Sequence, residues 1–271
     1  MNQVPSGQLP SGQLPSGNGE PEIHAEPMAT LPMDSETLNS PALSEPLVFL
    51  VDVDNTLLDN DHFGTDLDAR LEQSLGAEQR VRYRTIYARL RDELGYADYL
   101  GTLQKLRVGL GDDPELLRMS SFFLDYPFAD LLYAQSLEVI AHLRTLGPTV
   151  ILSDGDVVFQ PRKIQRAGLW QALDGRVLIG VHKELMLSAV QRLYPAIHYV
   201  MIDDKPQLLA RMKLAWGEAL TTVFVRQGHY AAEATDSPID PPPDRVIEHI
   251  GELLTADAAF FASSQRTAQQ Q

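Results

Sequence analysis

Asp52 and Asp54 stand two residues apart, directly after the apolar run LVFLV at 47–51. Two further polar clusters also follow apolar runs, Ser153–Asp154 after TVIL and Asp203–Asp204 after HYVMI. Aspartates that share a crevice repel one another unless a cation or a proton intervenes. Asp52, Asp54, Asp203 and Asp204 together make an oxygen-rich set that suits a hard cation. Mg²⁺ favours few carboxylates, several waters and a substrate phosphate. No His pair sits at ligand spacing beside these acids, which argues against zinc, and the absence of cysteine removes thiolate chemistry altogether.

The clusters can act together only if the fold brings them together. Short apolar runs bounded by polar residues predict buried, parallel strands at 47–51, 149–152, 176–179, 198–202 and 221–225. Between them lie helical patterns at 133–146, 157–167, 182–193 and 206–216, with a last helix expected at 244–254 after Pro241-Pro242-Pro243. Strands alternating with helices predict an α/β fold with a doubly wound, parallel, Rossmann-like sheet. Ligands of such sheets bind at the carboxyl ends of the strands, where all three polar clusters fall.

The segment 61–130 carries no strand pattern. It reads as four helices, at 66–75, 77–94, 99–108 and 114–124, separated by Gly95, Gly109, Gly111 and Pro114. An all-helical insert therefore follows the first strand, and core segments 47–60 and 131–255 flank it. Arg80, Arg82, Arg84, Arg89 and Arg91 read as a solvated helix face with acids nearby, one or two of which could instead reach over the site. Tyr83, Tyr87, Tyr96 and Tyr99 read as packing of the insert, and Phe122, Phe123, Tyr126 and Phe128 as an apolar hinge.

Residues 1–46 repeat PSGQL, lack Lys and Arg, and carry six acids, so they read as a disordered extension. A flexible tail is expected over 256–271. The net charge of −15 argues against broad nucleic-acid binding. No apolar run reaches the length of a membrane span, and no basic start with an apolar core marks a signal peptide. A cytoplasmic protein without a membrane partner is the resulting expectation.

The order Asp52-Val53-Asp54-Asn55-Thr56, then Ser153, Lys183 and Asp203-Asp204, each at the end of a strand or the start of a helix, resembles the four motifs of the haloacid dehalogenase superfamily. The resemblance spans about Leu47 to Leu254, and the helical insert is similar to that family's type-one cap. The resemblance implies a Mg²⁺-dependent phosphomonoester hydrolase acting on a small soluble phosphate. Asp52 would be the nucleophile and Asp54 the general acid and base. Ser153, Lys183 and the backbone at Asp154 would bind the phosphoryl group. Mg²⁺ would bind Asp52, the Asp54 carbonyl and Asp203, with Asp204 as a further candidate. Lys163 and Lys205 also lie near strand ends, and His182 reads as ordinary surface. Asp154 and Asp156 would point away, cap the following helix or read a substrate group. A phosphomutase, a dehalogenase and a non-catalytic binder of phosphorylated ligands are the competing expectations.

Overall fold

In the computed structural model, residues 45–233 and 238–262 are described. Residues 1–44 of the expected extension and 263–271 of the tail therefore fall outside the described residues, whereas Glu45 and Pro46, expected to belong to the extension, open the first strand. The apolar runs form β1 (Glu45–Val51), β2 (Thr149–Asp154), β3 (Val177–Gly180), β4 (Ala196–Asp203), β5 (Leu220–Val225) and β6 (Arg245–Ile247). They make one six-stranded parallel sheet in the order β3-β2-β1-β4-β5-β6. The chain leaves β1 towards β2 on one side and reaches β4 on the other. Such a switch point opens a crevice at the carboxyl ends of the strands.

Four helices make up the insert after β1: α1 (Asn60–Leu75), α2 (Ala77–Leu94), α3 (Tyr99–Leu106) and α4 (Glu115–Asp125). The rest follow as α5 (Ser136–Leu146), α6 (Phe159–Arg166), α7 (Leu169–Ala172), α8 (Leu187–Leu193), α9 (Pro206–Trp216) and α10 (Gly228–Glu233). Successive strand residues point to opposite faces. Phe49 and Val51 pack in a core shared with α5, while Val48 and Leu50 pack in another shared with α9. Both faces of the sheet are thus covered, which is why its strands are continuously apolar.

Local signals explain where the helices begin and stop. The Asp59 carboxylate accepts from the His62 amide at 2.8 Å to cap α1, so this helix starts earlier than the periodicity alone suggests. Asp98 caps α3 in the same way, accepting from the Gly101 amide at 2.7 Å. Gly95 ends α2 in the left-handed conformation, with φ of 80°.

Phe63 of α1 is fully buried, with the rings of Phe122, Phe123, Tyr126, Phe128 and Phe159 all within 6.3 Å of its own. The aromatic stretch at 122–128 is therefore a packed cluster, joined from the α/β core by Phe159 of α6.

Three expectations need correction. The helix expected at 244–254 is β6 followed by a 3₁₀ turn, Ile250–Thr255. Asp244 accepts from both the amide and the hydroxyl of Thr222, at 2.8 and 2.9 Å, which docks the next residues on the sheet edge. The helix expected at 182–193 is a 3₁₀ turn, Lys183–Leu185, and then α8, because the Lys183 amide is held by Asp154 at 3.0 Å. Residues 256–262 do not form a loose tail. Phe261 is fully buried edge-on to Phe49, with ring centroids 4.9 Å apart.

Candidate active site

β1 ends in a tight turn that sets the first acidic pair. The amides of Thr56, Leu57 and Leu58 all donate to the Val53 carbonyl, and Asn55 takes a left-handed φ of 60°. Asn55 Oδ1 accepts from the Asn60 amide at 3.0 Å, tying the turn to the start of α1. Asp52, whose amide donates to the Ile202 carbonyl at 3.0 Å, is buried, whereas Asp54 is partly exposed in the crevice.

The ends of β1 and β4 bring three carboxylates together. Asp52, Asp203 and Asp204 are buried, and each offers an oxygen within 4.8 Å of the others. One cation of the chain sits among them. Lys183 Nζ donates to Asp52 Oδ1 and, at 2.6 Å, to Asp203 Oδ2. Asp203 Oδ1 accepts from the Lys205 amide at 2.9 Å, so both Asp203 oxygens are engaged. Asp52 Oδ2 and both Asp204 oxygens are buried without a hydrogen-bond partner among the described residues.

Electrostatics follow from this layout. Burial, then the like charges of Asp203 and Asp52, pushes the Asp204 carboxyl up to about 9. Burial also raises Asp52, against the pull of Lys183. Burial alone would lower Lys183, but Asp203 and Asp52 outweigh it and hold the ammonium charged. Lys205 is raised too, with Asp52, Asp203 and Asp204 outweighing the opposing effects of its burial and of Lys183. A site with three orphaned, buried carboxylate oxygens is short of positive charge, and a divalent cation fits that deficit.

The second cluster lies one strand over. Ser153, next to last in β2, is fully buried, and its Oγ accepts from Gln160 Nε2 at 3.0 Å. The Asp154 carboxylate faces the Lys183 amide, and burial raises it to about 6. Asp156 caps α6, accepting from the Val158 and Phe159 amides at 2.8 and 2.7 Å. Asp54 does not join the buried acidic group through its side chain. Its Oδ1 accepts from Lys163 Nζ at 2.8 Å and its Oδ2 from Gln160 Nε2 at 3.2 Å.

The helical insert faces these acids across a cavity of about 350 Å³. Asp54 and Asp154 line one side, and Arg91, Tyr87, Tyr96 and Tyr99 the other. Of the arginines on α2, Arg80 pairs with Glu72, Arg84 with Asp68 and Arg89 with Glu93, as a solvated face would. Arg91 lines the cavity instead. His182, Lys205, Arg211 and His229 line it from the core side. Gln160 and Asn60 carried no signal in the sequence. Their partners are roughly 100 residues away along the chain, and one amide side chain in a helix looks like any other.

A haloacid dehalogenase-like hydrolase of Burkholderia xenovorans shares 57% sequence identity with this chain, which covers all of that protein with 79% of its own length, at a TM-score of 0.75. The chain belongs to the haloacid dehalogenase-like hydrolases. The family's fold is shared at much lower identity. A Bacillus subtilis HAD-hydrolase bound to magnesium matches at 16% identity and a TM-score of 0.53, over 78% of this chain and 100% of that one. The L-2-haloacid dehalogenase of Xanthobacter autotrophicus matches at 19% and 0.50, over 76% of this chain and 96% of that one. No family model matches the chain, and no curated protein matches it. As a haloacid dehalogenase-like hydrolase it is an enzyme, and among its described residues no helix is long and apolar enough to cross a membrane.

Proposed function

We propose that this hydrolase cleaves a small soluble phosphate monoester with the help of Mg²⁺. The observation that carries the reading is the set of three orphaned carboxylate oxygens, on Asp52 and Asp204, at the crevice of the sheet. A dehalogenase of this family needs neither a cation there nor a second acid at position 54. The magnesium-bound Bacillus subtilis structure supports the choice of ion.

Asp52 is the nucleophile. Its oxygen attacks phosphorus, the bond from phosphorus to the leaving oxygen breaks, and an aspartyl-phosphate forms. Asp54 gives its proton to the leaving oxygen, then takes one from the water that attacks the acyl phosphate. The second step releases phosphate and restores the Asp52 carboxylate. Lys183 keeps Asp52 oriented and offsets negative charge beside the incoming phosphoryl group, and Ser153 and the backbone at Asp154 complete its binding site. Asp52 and Asp204 would hold the Mg²⁺, with Asp203 fixed by Lys183 and the Lys205 amide behind them. Bound there, Mg²⁺ supplies charge neutralisation between two anions and polarises the phosphoryl oxygens. The helical insert acts as a cap, and the cavity under it sets the substrate size at that of a metabolite.

The test is hydrolysis of p-nitrophenyl phosphate with Mg²⁺, with EDTA, and by Asp52→Asn. Turnover that needs Mg²⁺ and vanishes in the variant supports the reading. Metal-independent chloride release from L-2-chloropropionate, with no phosphate release from any ester, would replace it with dehalogenation.

A further inference from the structure

Lys163 is fully buried, and its ammonium is spent on two oxygens. Nζ donates to Asp54 Oδ1 at 2.8 Å and to Asn60 Oδ1 at 2.9 Å. The ring centroids of Phe63, Tyr99, Phe128 and Phe159 stand 5.9, 5.7, 5.8 and 5.4 Å from the same atom. Ring faces attract a cation, and a wall of four rings bars the side chain from turning out to water. A buried ammonium costs stability unless it is well paired, and a methionine would fill the same space without that cost. Packing therefore gives no reason for a charge at this position.

The charge does have a consequence for Asp54. Gln160 lies three residues before Lys163, on the same face of α6. It donates to the other Asp54 oxygen at 3.2 Å and to Ser153 Oγ at 3.0 Å. One helix thus holds both oxygens of the carboxylate, and Asn60, the first residue of α1, holds the lysine.

We propose that Lys163 is the positioning residue of Asp54, fixing its carboxylate at the angle from which a proton reaches the leaving oxygen. This rests on the acid–base reading of Asp54 given above. Lys163 is shut off from the cavity by its own burial, so it acts on the reaction through Asp54. Proton transfer needs the two oxygens within about 2.6–3.2 Å, and a carboxylate held only by Gln160 could swing out of that range.

The experiment compares kcat/KM for p-nitrophenyl phosphate and β-glycerophosphate, both with Mg²⁺. Nitrophenolate leaves without a proton, whereas the glycerol oxygen needs one. Lys163→Met is expected to melt cooperatively and to lose about 10²-fold on β-glycerophosphate, with under about 5-fold lost on the nitrophenyl ester. Asp54→Asn should show the same contrast, and the double variant should be no slower than Asp54→Asn alone. Equal losses on both esters, or a further loss in the double variant, would overturn the role of Lys163. If Lys163→Met does not fold, Lys163→Gln carries the same comparison, since its amide keeps a donor without the charge. A slow Asp54→Asn beside a wild-type-like Lys163→Met overturns this inference alone. An unimpaired Asp54→Asn, or a wild-type enzyme that turns over neither ester, overturns the acid–base reading and this inference with it.

Discussion

Gly95, at the end of α2, approaches His182 so closely that a Cβ on the glycine would lie 2.8 Å from the ring carbon Cε1. The helical insert and the α/β core touch here, at the lip of the cavity that both line. The left-handed φ of 80° is what calls for a glycine here. We expect Gly95→Ala to cost about 1 kcal/mol from the left-handed backbone, measured by urea unfolding. The His182 ring is half-exposed and can swing aside, so the clash itself should add little. Its movement should instead raise KM for a good substrate while kcat changes less.

Asp52→Asn replaces one oxygen by an amide of nearly the same shape. Lys183 keeps Asp203 as its second partner, so the fold should survive with a cooperative melt. Turnover of p-nitrophenyl phosphate should fall by more than about 10³-fold, as for other nucleophile replacements. Wild-type turnover in a folded variant would remove Asp52 from the role of nucleophile.

Asp204→Asn separates the cost of the acidic cluster from its use. Without metal and at neutral pH, the variant should melt higher than the wild type, because folding no longer has to put a proton on a carboxyl that burial and two neighbouring acids push up to about 9. With Mg²⁺ the order should reverse. A ligand at 100 times its Kd adds about 2.7 kcal/mol to the state that binds it, a rise of about 5–10 °C for a chain of this size. That rise should appear in the wild type and be lost in Asp204→Asn. Equal Mg²⁺ responses in the two proteins would place the ion elsewhere.

Phe63→Ala empties the centre of the aromatic cluster between α1, α4 and α6. The loss should be about 3–5 kcal/mol, read from denaturant midpoints. The rings that surround Lys163 would loosen as well, so β-glycerophosphate turnover should fall more than nitrophenyl ester turnover in whatever fraction remains folded.

Much of this was legible along the chain because the relevant signals are local. An apolar run ending in an acid marks a strand whose end carries chemistry, and this pattern located Asp52, Ser153 and Asp203 at one edge of the sheet. The second half of the site was not legible. Lys163 stands out in the sequence only as a lysine near a strand end and Gln160 not at all, and only the fold, which sets α6 beside the turn after β1, reveals that both meet Asp54. The strand β6 was hidden for a related reason. Its three residues are too few for a periodic signal, and Val246 is exposed on the sheet edge. Asp244, which anchors it, is a capping residue in appearance and a strand clamp in fact. The resemblance put Asp203 ahead of Asp204 as a metal ligand, and the hydrogen bonds favour the reverse. Asp203 is fully engaged, while Asp204 is left open.

The central place of β1 has a consequence for how the chain is made. Its partners in the sheet, β2 and β4, begin about 100 and 150 residues later. At synthesis rates of about 5–20 residues per second, this apolar strand waits roughly 5–20 s for its first neighbour. Among the described residues, the helices α1 to α5 are what the nascent chain can offer to cover it during that interval. On the ribosome, the helical insert would first serve to keep β1 from meeting the wrong strand.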